Sequence, residues 1–447
     1  MSGNEGSSDD NDGLSEATPF KTLLAAYEAA RDSADRKQIV VLSNLTQTGE
    51  DADEDALTGP SELITIKGKD GTQTITRSVV ANEGAGSVLV ITGGAKITFV
   101  DIKVNGIVGD GSSIFNRAIK IDGSEVTLGK GAVITGKLQG DSTGDNPGPD
   151  GFNTDTKNGS GVFVTNSGKL TIADGSEVTG CEGPVNNDVG TLGAVYANSG
   201  SNVLLTKGGK IYKNQALRGG GVAVYGTATF TMTGGEIYKN TGTDSGGGIY
   251  ASRKGSYDSP TLTLVGGEIY ENYTTTGNGG GIYTYKTLVA FTIEDGVVIR
   301  NNHAAGAGGG IAAKATTTTN DDDDKTIMMN GGEIRDNEAG THGGGVYIEA
   351  AQAGDVSLTM KGGEISKNTA NGNGGGVYLQ QVSSKTATFT LTDGVIYGSG
   401  DKANSAAQGA AIYKSSANGY TKVIINGTAF SDTKQSEDIT VTKAYTP

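Results

Sequence analysis

Short runs in which apolar and polar residues alternate recur through much of the chain. Seven of them precede a Gly-Gly or Asp-Gly pair, as in Phe230-Thr231-Met232 and Leu262-Thr263-Leu264. Alternation with a period of two, built from β-branched and aromatic types, predicts half-buried strands. The spacing of 3.6 residues that marks a helix is absent from these runs, so the repeats predict an all-β chain.

The paired glycines open a heptapeptide that returns at intervals of 26 to 36 residues. It reads GGEIYKN from Gly234, and relatives start at Gly208, Gly266, Asp295, Gly331, Gly362 and Asp393. A triple glycine and a short strand follow most copies, as in GGGIYA from Gly246. Like strands recur once per repeat rather than in hairpins, which predicts a parallel β-solenoid whose coils stack at ~4.8 Å. We expect about thirteen coils between Ile39 and Ile425, at roughly thirty residues each.

Equivalent side chains of stacked coils should form ladders. The asparagine that ends each heptapeptide predicts a structural amide ladder at one corner. Triple glycine fits a corner that needs positive φ and close approach of the coils. The predicted ladder residues are Asn214, Asn240, Asn272, Asn301, Asn337 and Asn368.

The two ends of the chain differ from the repeats. Thr18-Pro19 resembles a helix start, and Phe20, Leu23 and Tyr27 belong to an apolar stripe at helical spacing. We therefore expect a helix at about 18–35 that caps the first coil. Residues 1–12 read as a flexible linker, 13–430 as a single β-helix domain, and 431–447 as a tail or partial cap.

These repeats resemble the right-handed parallel β-helix of the pectin-lyase-like superfamily. Within it, GGGIY alternating with GGEIYKN looks like the GG-x-I and x-x-N repeats of the polymorphic outer membrane protein group, which comprises bacterial surface adhesins and autotransporter passengers. The opening NDGLSEATPFKTLLAAYEAA is similar to the capping segment of many secreted β-helix proteins. The resemblance covers about residues 11–430 and implies a right-handed winding and a secreted or cell-surface protein. This fold also hosts lyases, hydrolases and phage tailspikes, so it leaves the function open.

Charge and composition narrow the possible partners. The chain has 35 Lys and Arg against 50 Asp and Glu, a net charge of −15, so it repels nucleic acid. No run reaches the ~18 apolar residues of a membrane helix, and no signal peptide opens the chain. One cysteine, Cys181, and two histidines offer little for a zinc site or a Cys-His nucleophile pair, and the lone cysteine excludes an intrachain disulfide.

Tyrosines supply the candidate binding surface. One set recurs directly after the inward residue of the triple-glycine strand, and alternation predicts that it faces outward, where Tyr favours recognition of a protein or glycan. Cross-coil stacking that stiffens the sheet is the structural alternative. A second set is Tyr212, Tyr238, Tyr270 and Tyr397. The predicted binding residues are Tyr250, Tyr283, Tyr347, Tyr378 and Tyr413.

Catalytic and metal sites are weaker candidates. Neighbouring Glu236 and Glu268, or Glu333 and Glu364, could approach the ~5–9.5 Å separation of glycosidase carboxylates, yet they recur as a solvated row. Acidic residues in two loops could hold Ca²⁺, and otherwise no cofactor is expected. A single, interrupted column of threonines does not fit an ice-binding face. The calcium candidates are Asp141, Asp145, Asp321, Asp322, Asp323 and Asp324.

We therefore expect a non-catalytic extracellular β-helix scaffold, an adhesin-like passenger at a bacterial surface that binds host protein or glycan through loops and a Tyr-rich face. One alternative is a polysaccharide lyase or glycoside hydrolase on the same fold. Another is a filament or stalk subunit that self-associates through its coil ends. The sequence leaves the ligand, the anchoring mode and the oligomeric state open.

Overall fold

A computed structural model describes residues 8, 11–47, 55–77, 87–106, 117–136, 161–182, 193–198, 200–253, 259–285, 290–315, 325–351, 354–382, 384–415, 421–430, 434–435 and 439–441. The chain divides into two compact units, Met1–Gln215 and Ala216–Pro447. Both are built from stacked parallel coils, and together they hold about ten turns of β-solenoid.

Unit 1 contains one helix and seventeen strands among its described residues. They are α1 (Leu23–Asp32), β1 (Gln38–Val41), β2 (Leu45–Gln47), β3 (Leu57–Thr58), β4 (Ile64–Gly68), β5 (Gln73–Arg77), β6 (Ser87–Thr92), β7 (Lys96–Val100), β8 (Ile102–Asn105), β9 (Arg117–Asp122), β10 (Glu125–Leu128), β11 (Val133–Gly136), β12 (Val162–Thr165), β13 (Lys169–Ile172), β14 (Glu177–Cys181), β15 (Val195–Ala197), β16 (Asn202–Leu205) and β17 (Lys210–Tyr212).

Each coil of unit 1 contributes one strand to each of three stacks, and the strands within a stack are parallel. The first runs β1-β4-β7-β10-β13-β16, the second β2-β5-β8-β11-β14-β17, and the third β3-β6-β9-β12-β15. Like residues pair across coils, as Thr98, Thr127 and Thr171 do, with buried Ile97, Val126 and Leu170 beside them. The length of a coil varies, since Lys169 pairs with Glu125, 44 residues earlier in the chain.

Helix α1 is shorter than predicted. Its N-cap is Thr22, whose hydroxyl accepts from the Ala25 amide, rather than Thr18. The Thr18 hydroxyl instead donates to Asp12. The helix buries Tyr27 completely, and the Arg31 guanidinium donates to the carbonyl of Thr58 in β3 at 3.2 Å.

The strands of unit 2 differ in length. They are β18 (Gln215–Arg218), β19 (Val222–Tyr225), β20 (Thr229–Tyr238), β21 (Thr241–Ser245), β22 (Ile249–Ser252), β23 (Thr261–Tyr270), β24 (Tyr273–Thr274), β25 (Ile282–Tyr285), β26 (Ala290–Ile293), β27 (Val297–Arg300), β28 (His303–Ala304), β29 (Ile311–Ala315), β30 (Lys325–Met329), β31 (Glu333–Arg335), β32 (Glu338–Ala339), β33 (Val346–Ala350), β34 (Val356–Ser366), β35 (Thr369–Ala370), β36 (Val377–Gln381), β37 (Ala387–Ile396), β38 (Ile412–Lys414), β39 (Thr421–Ile425), β40 (Thr428–Phe430), β41 (Lys434–Gln435) and β42 (Ile439–Val441). Four of them are ten or eleven residues long, namely β20, β23, β34 and β37, and the others are shorter. A 3₁₀ turn covers Gly400–Lys402.

Three sheets surround the core of unit 2. The first holds the apolar-Thr-apolar strands and the heptapeptide strands, often as one long strand such as β20 or β34. The second holds the strands that follow triple glycine, β19, β22, β25, β29, β33 and β36, together with β38, which follows Gly409-Ala410-Ala411. The third is narrow and consists of β18, β21, β24, β28, β32 and β35. Matching inward residues form buried columns, for example Phe230, Leu262, Phe291, Ile327, Leu358 and Phe389.

The last coil ends in strands of opposite direction. Strand β40 turns back on β39, while β41 pairs antiparallel with β38 and β42 antiparallel with β37. The described part of the predicted C-terminal tail thus covers edges of the last coil.

Candidate binding surfaces

A buried asparagine ladder occupies one corner of each coil in unit 2. The Oδ1 atom of each member accepts from the backbone N–H and the Nδ2 of the asparagine one coil earlier, at 2.9–3.0 Å. Its own Nδ2 donates to the carbonyl of the inward isoleucine of that earlier coil, at 2.8–2.9 Å. Because every amide is used inside the protein, this ladder is structural and offers nothing to a ligand. Its members are Asn240, Asn272, Asn302, Asn337, Asn368 and Asn404.

One predicted member was wrong: Asn302 occupies the ladder, and Asn301 does not. The copy DGVVIRNN carries an extra residue, so Ile299 rather than Val298 pairs with Ile269. Asn302 follows Ile299 by the same three places that separate Asn272 from Ile269, and it is fully buried. Asn214 belongs to unit 1, where its amide accepts from the backbone N–H of Cys181 and donates to Val178.

The residue before five of the six ladder asparagines, all except Asn404, has a left-handed backbone without being glycine. Lys239, Glu271, Asn301, Asp336 and Lys367 all have φ between 52° and 55°. Each donates its N–H to a carbonyl of the next coil, as Lys367 does to Lys402 at 3.0 Å. This turn lets the following asparagine point inward, at a conformational cost of ~1–2 kcal/mol per residue.

The predicted tyrosine row does point away from the core, but it is not the exposed surface that the sequence predicts. Tyr250, Tyr283, Tyr347 and Tyr378 are only 2–6% exposed, and Tyr413 is half-buried. They form a column along the second sheet, with Ala312 between Tyr283 and Tyr347. The triple-glycine turns cover this column: the Cα of Gly279 carries no side chain, and a Cβ there would lie 2.7 Å from the Cβ of Tyr283.

Polar groups complete the cover of this tyrosine column. Tyr347 donates to Glu349 at 2.7 Å, and Lys314 pairs with the same carboxylate at 2.8 Å. The His342 ring stacks on the Tyr378 ring with their centroids 4.5 Å apart, and its Nδ1 accepts from the backbone N–H of Asn373. Burial raises the pKa of Tyr378 to about 12 and lowers the pKa of His342.

A half-exposed row of charged and aromatic residues lies on the first sheet of unit 2. Tyr238 and Tyr270 stack at 4.9 Å with an interplanar angle of 2°. The Arg300 guanidinium lies 4.2 Å from the Tyr270 ring centroid and donates twice to Glu268, at 2.8 and 3.0 Å. Tyr270 donates to Glu236 at 2.6 Å. Burial and this hydrogen bond raise the pKa of Tyr270.

The same row continues over the following coils. Arg335 bonds Glu333 at 2.9 Å, and Lys402 bonds Glu364 at 2.8 Å. Glu236 pairs in register with Glu268, and Glu333 with Glu364, as the stacking predicts. Each of these four carboxylates has a separate hydrogen-bonding partner.

The calcium candidates Asp141, Asp145 and Asp321–Asp324 lie outside the described residues. Among the residues that the structure does describe, no three His, Cys, Asp or Glu side chains are grouped closely enough to hold a metal ion. No helix among the described residues is long enough and apolar enough to span a membrane.

Comparison with known proteins does not assign this chain to a family. No protein-family model matches it, and no curated protein matches it. The stacked parallel strands therefore establish the fold, and the function is inferred from the side chains that face away from the core.

Proposed function

We propose that this chain is a non-catalytic scaffold of the extracellular or cell-surface type, which binds a protein partner through rows of repeated outward side chains. One observation carries the proposal: the outward residues of unit 2 are held in register from coil to coil by their neighbours. The contacts of Tyr270 with Tyr238, Glu236 and Arg300 are the clearest case. A rigid array of this kind binds with little loss of side-chain entropy.

A protein surface fits this row better than a neutral sugar does. Sugars dock on open aromatic faces, whereas the facing sides of Tyr238 and Tyr270 cover each other and Arg300 covers part of Tyr270. What stays accessible is ring edges, hydroxyl groups and guanidinium groups. Tyr and Arg are enriched in protein interfaces and at their energetic hot spots. We therefore name the charged row, rather than the buried tyrosine column, as the binding surface.

The resemblance of the repeats to bacterial surface β-helices supports the rest of the proposal. It favours a right-handed winding, a role of α1 as the cap of the first coil, and a secreted or surface location. Tyr27 and Arg31 of α1 reach the Thr58–Gly59 carbonyls, which is consistent with that cap.

Binding without turnover is the test. The full chain is presented to immobilised matrix proteins, to cultured epithelial cells and to a glycan array, and is separately incubated with acidic and neutral polysaccharides. We expect saturable binding to a protein and no new reducing ends or unsaturated uronates. Depolymerisation of a polysaccharide would overturn the proposal in favour of an enzyme.

Two variants, one on the charged row and one away from it, locate the surface. Arg300→Ala combined with Tyr270→Ala should weaken binding about tenfold or more, because it removes two interface-type side chains. Thr263→Ala, at the other end of β23, is the matched control and should bind as the wild type does. Equal binding by both variants, with circular dichroism unchanged, would show that the partner docks elsewhere.

A further inference from the structure

Arg117 occupies an unusual position in its coil. It stands two residues before Ile119, the first inward residue of β9. In six of the seven second-sheet strands of unit 2 the residue two places before the inward Ile or Val is glycine, because third-sheet and neighbouring-coil backbone crowds it, and in β38 it is Ala410. A Cβ on Gly344, for example, would lie 2.6 Å from the carbonyl oxygens of Thr369 and Gly375. Arg117 therefore stands where six coils of unit 2 have a glycine.

The Arg117 side chain lies on an aromatic stack. Its guanidinium carbon is 4.7 Å from the centroid of Phe163, whose other neighbour is Tyr196 at 4.9 Å and 16°. Lys120 pairs in register with Phe163 and contacts Asp122 at 3.3 Å. Two cationic side chains and two aromatic rings thus meet on the outer side of β9, β12 and β15.

Arg117 differs from four other arginines in that no acid among the described residues pairs with it. Arg31, Arg218, Arg300 and Arg335 each bind a carboxylate at 2.6–2.9 Å. No carboxylate of the described residues lies within ion-pairing distance of Arg117, although burial lowers the pKa of its guanidinium. Desolvating a cation without an anion is unfavourable, and the planar fork of Arg is suited to a carboxylate.

We propose that Arg117, with Lys120 and the Phe163–Tyr196 stack, is an anchor site for an Asp or Glu side chain of a protein partner. The carboxylate accepts from the open edge of the guanidinium, and the rings hold that edge in place. A polyanionic glycan fits less well, because a chain of net charge −15 repels an extended polyanion while a single carboxylate is governed by its nearest neighbours. This inference rests on the proposed function, since it names how the partner is held.

A displayed library of random dodecapeptides, selected on the full chain, provides the test. We expect the enriched peptides to share an acidic residue. Synthetic versions should bind about 30-fold more weakly when that residue becomes Gln or when the protein carries Arg117→Gln, and the two changes together should add little more. Arg117→Lys should restore part of the affinity. Enriched peptides without a shared acid, or with equal affinity for Arg117→Gln, would overturn the proposal.

Arg218→Gln is the matched control. Arg218 also lies over a tyrosine, Tyr250, at 5.8 Å, but it already binds Asp244 at 2.6 Å. It should lose thermal stability and keep its affinity for the acidic peptides. Arg117→Gln should keep or gain thermal stability, because it removes a desolvated cation that has no acid. A loss of stability equal to that of Arg218→Gln would show that Arg117 is structural and would overturn the proposal.

The remaining outcomes separate the two proposals. If the wild type binds matrix or cells and Arg117→Gln binds equally well, the anchor site is wrong and the scaffold function stands. If only the selected peptides bind, in an Arg117-dependent way, the anchor site stands and the scaffold function fails. Arg117-dependent binding to sialylated or uronate glycans in place of peptides would overturn the choice of a protein partner.

Discussion

The two units use the same coil with different corners. In unit 2 the corner between the first and second sheets contains a third strand, a buried asparagine and three glycines. In unit 1 the corresponding column passes from Gly136 to Cys181 to Asn214, and Arg117 stands where unit 2 has a glycine. The ladder and the narrow sheet give unit 2 its regularity, and they leave no volume for other side chains. The described residues of unit 1 carry other side chains at this corner, and one of them, Arg117, lies over the Phe163 ring.

The largest expected effect comes from breaking the ladder in its middle. Asn302→Ala removes the acceptor for Asn272 and the donor to Ile269. Each unpaired buried group costs about 1–3 kcal/mol, so we expect a loss of about 4 kcal/mol in the free energy of unfolding. Chemical denaturation followed by circular dichroism measures it. Asn301→Gly, one residue away at an exposed position, should cost nothing; equal losses would refute the ladder's role.

The second prediction compares the stability effect of a substitution at the same corner position in unit 2 and in unit 1. Gly344→Ala places a methyl group against the backbone of Thr369 and Gly375, and overpacking of this kind costs about 3 kcal/mol. Arg117→Ala, at the matching place in unit 1, should cost less than about 1 kcal/mol. Thermal unfolding of both variants checks the difference. If Gly344→Ala were as stable as the wild type, crowding by the third sheet would not explain the glycine.

A third variant asks whether the ladder can be extended into unit 1. Cys181 is fully buried, burial raises the pKa of its thiol, and its sulfur lies 3.9 Å from the Ile134 carbonyl. Cys181→Asn would place a side-chain amide near the Ile134 carbonyl. In the ladder, the asparagine amide donates to the carbonyl of the inward isoleucine in the same way. We expect a gain of about 1 kcal/mol in unfolding free energy, with Cys181→Ala as the control that gains nothing. A clear loss in Cys181→Asn would show that the unit 1 corner differs in its backbone.

A smaller gain is expected at the left-handed position that precedes the ladder. Lys367 has φ of 54°, so Lys367→Gly relieves strain and should raise the unfolding midpoint by the equivalent of about 0.5 kcal/mol. Lys422→Gly, at an exposed position within β39, should lower it by a similar amount. The same sign of change in both variants would contradict the strain argument.

The smallest effect is a dependence on pH. Because burial lowers the pKa of His342, the unfolded chain binds a proton more readily than the folded one. The stabilisation by neutral His342 is present above its ordinary pKa of about 6.5 and is lost as the pH falls towards the lower folded value. His342→Gln should therefore flatten the fall of the thermal midpoint between about pH 7 and pH 5. An unchanged slope would show that His342 plays no part.

The repeat pattern was sufficient to predict the coils, because the alternation of apolar and polar residues and the recurring asparagines can both be read directly from the sequence. It failed at Asn301, where one extra residue shifts the ladder to Asn302. Alternation gave the direction of Tyr283 and Tyr378, but it could not show that turns and His342 cover them. Arg117 was missed for a similar reason: its contact with Phe163 joins residues of neighbouring coils, which the local pattern around Arg117 does not reveal.

The reversed strands after the last coil have a consequence for assembly. A stack of parallel strands is a template, and an open end can recruit an identical strand from another molecule, as happens in amyloid growth. Here β40, β41 and β42 already pair antiparallel with the final coil, so its edges are occupied in a polarity that a further parallel coil cannot match. The described strands at this end thus leave β37, β38 and β39 without an open parallel edge of the kind that templates fibril growth.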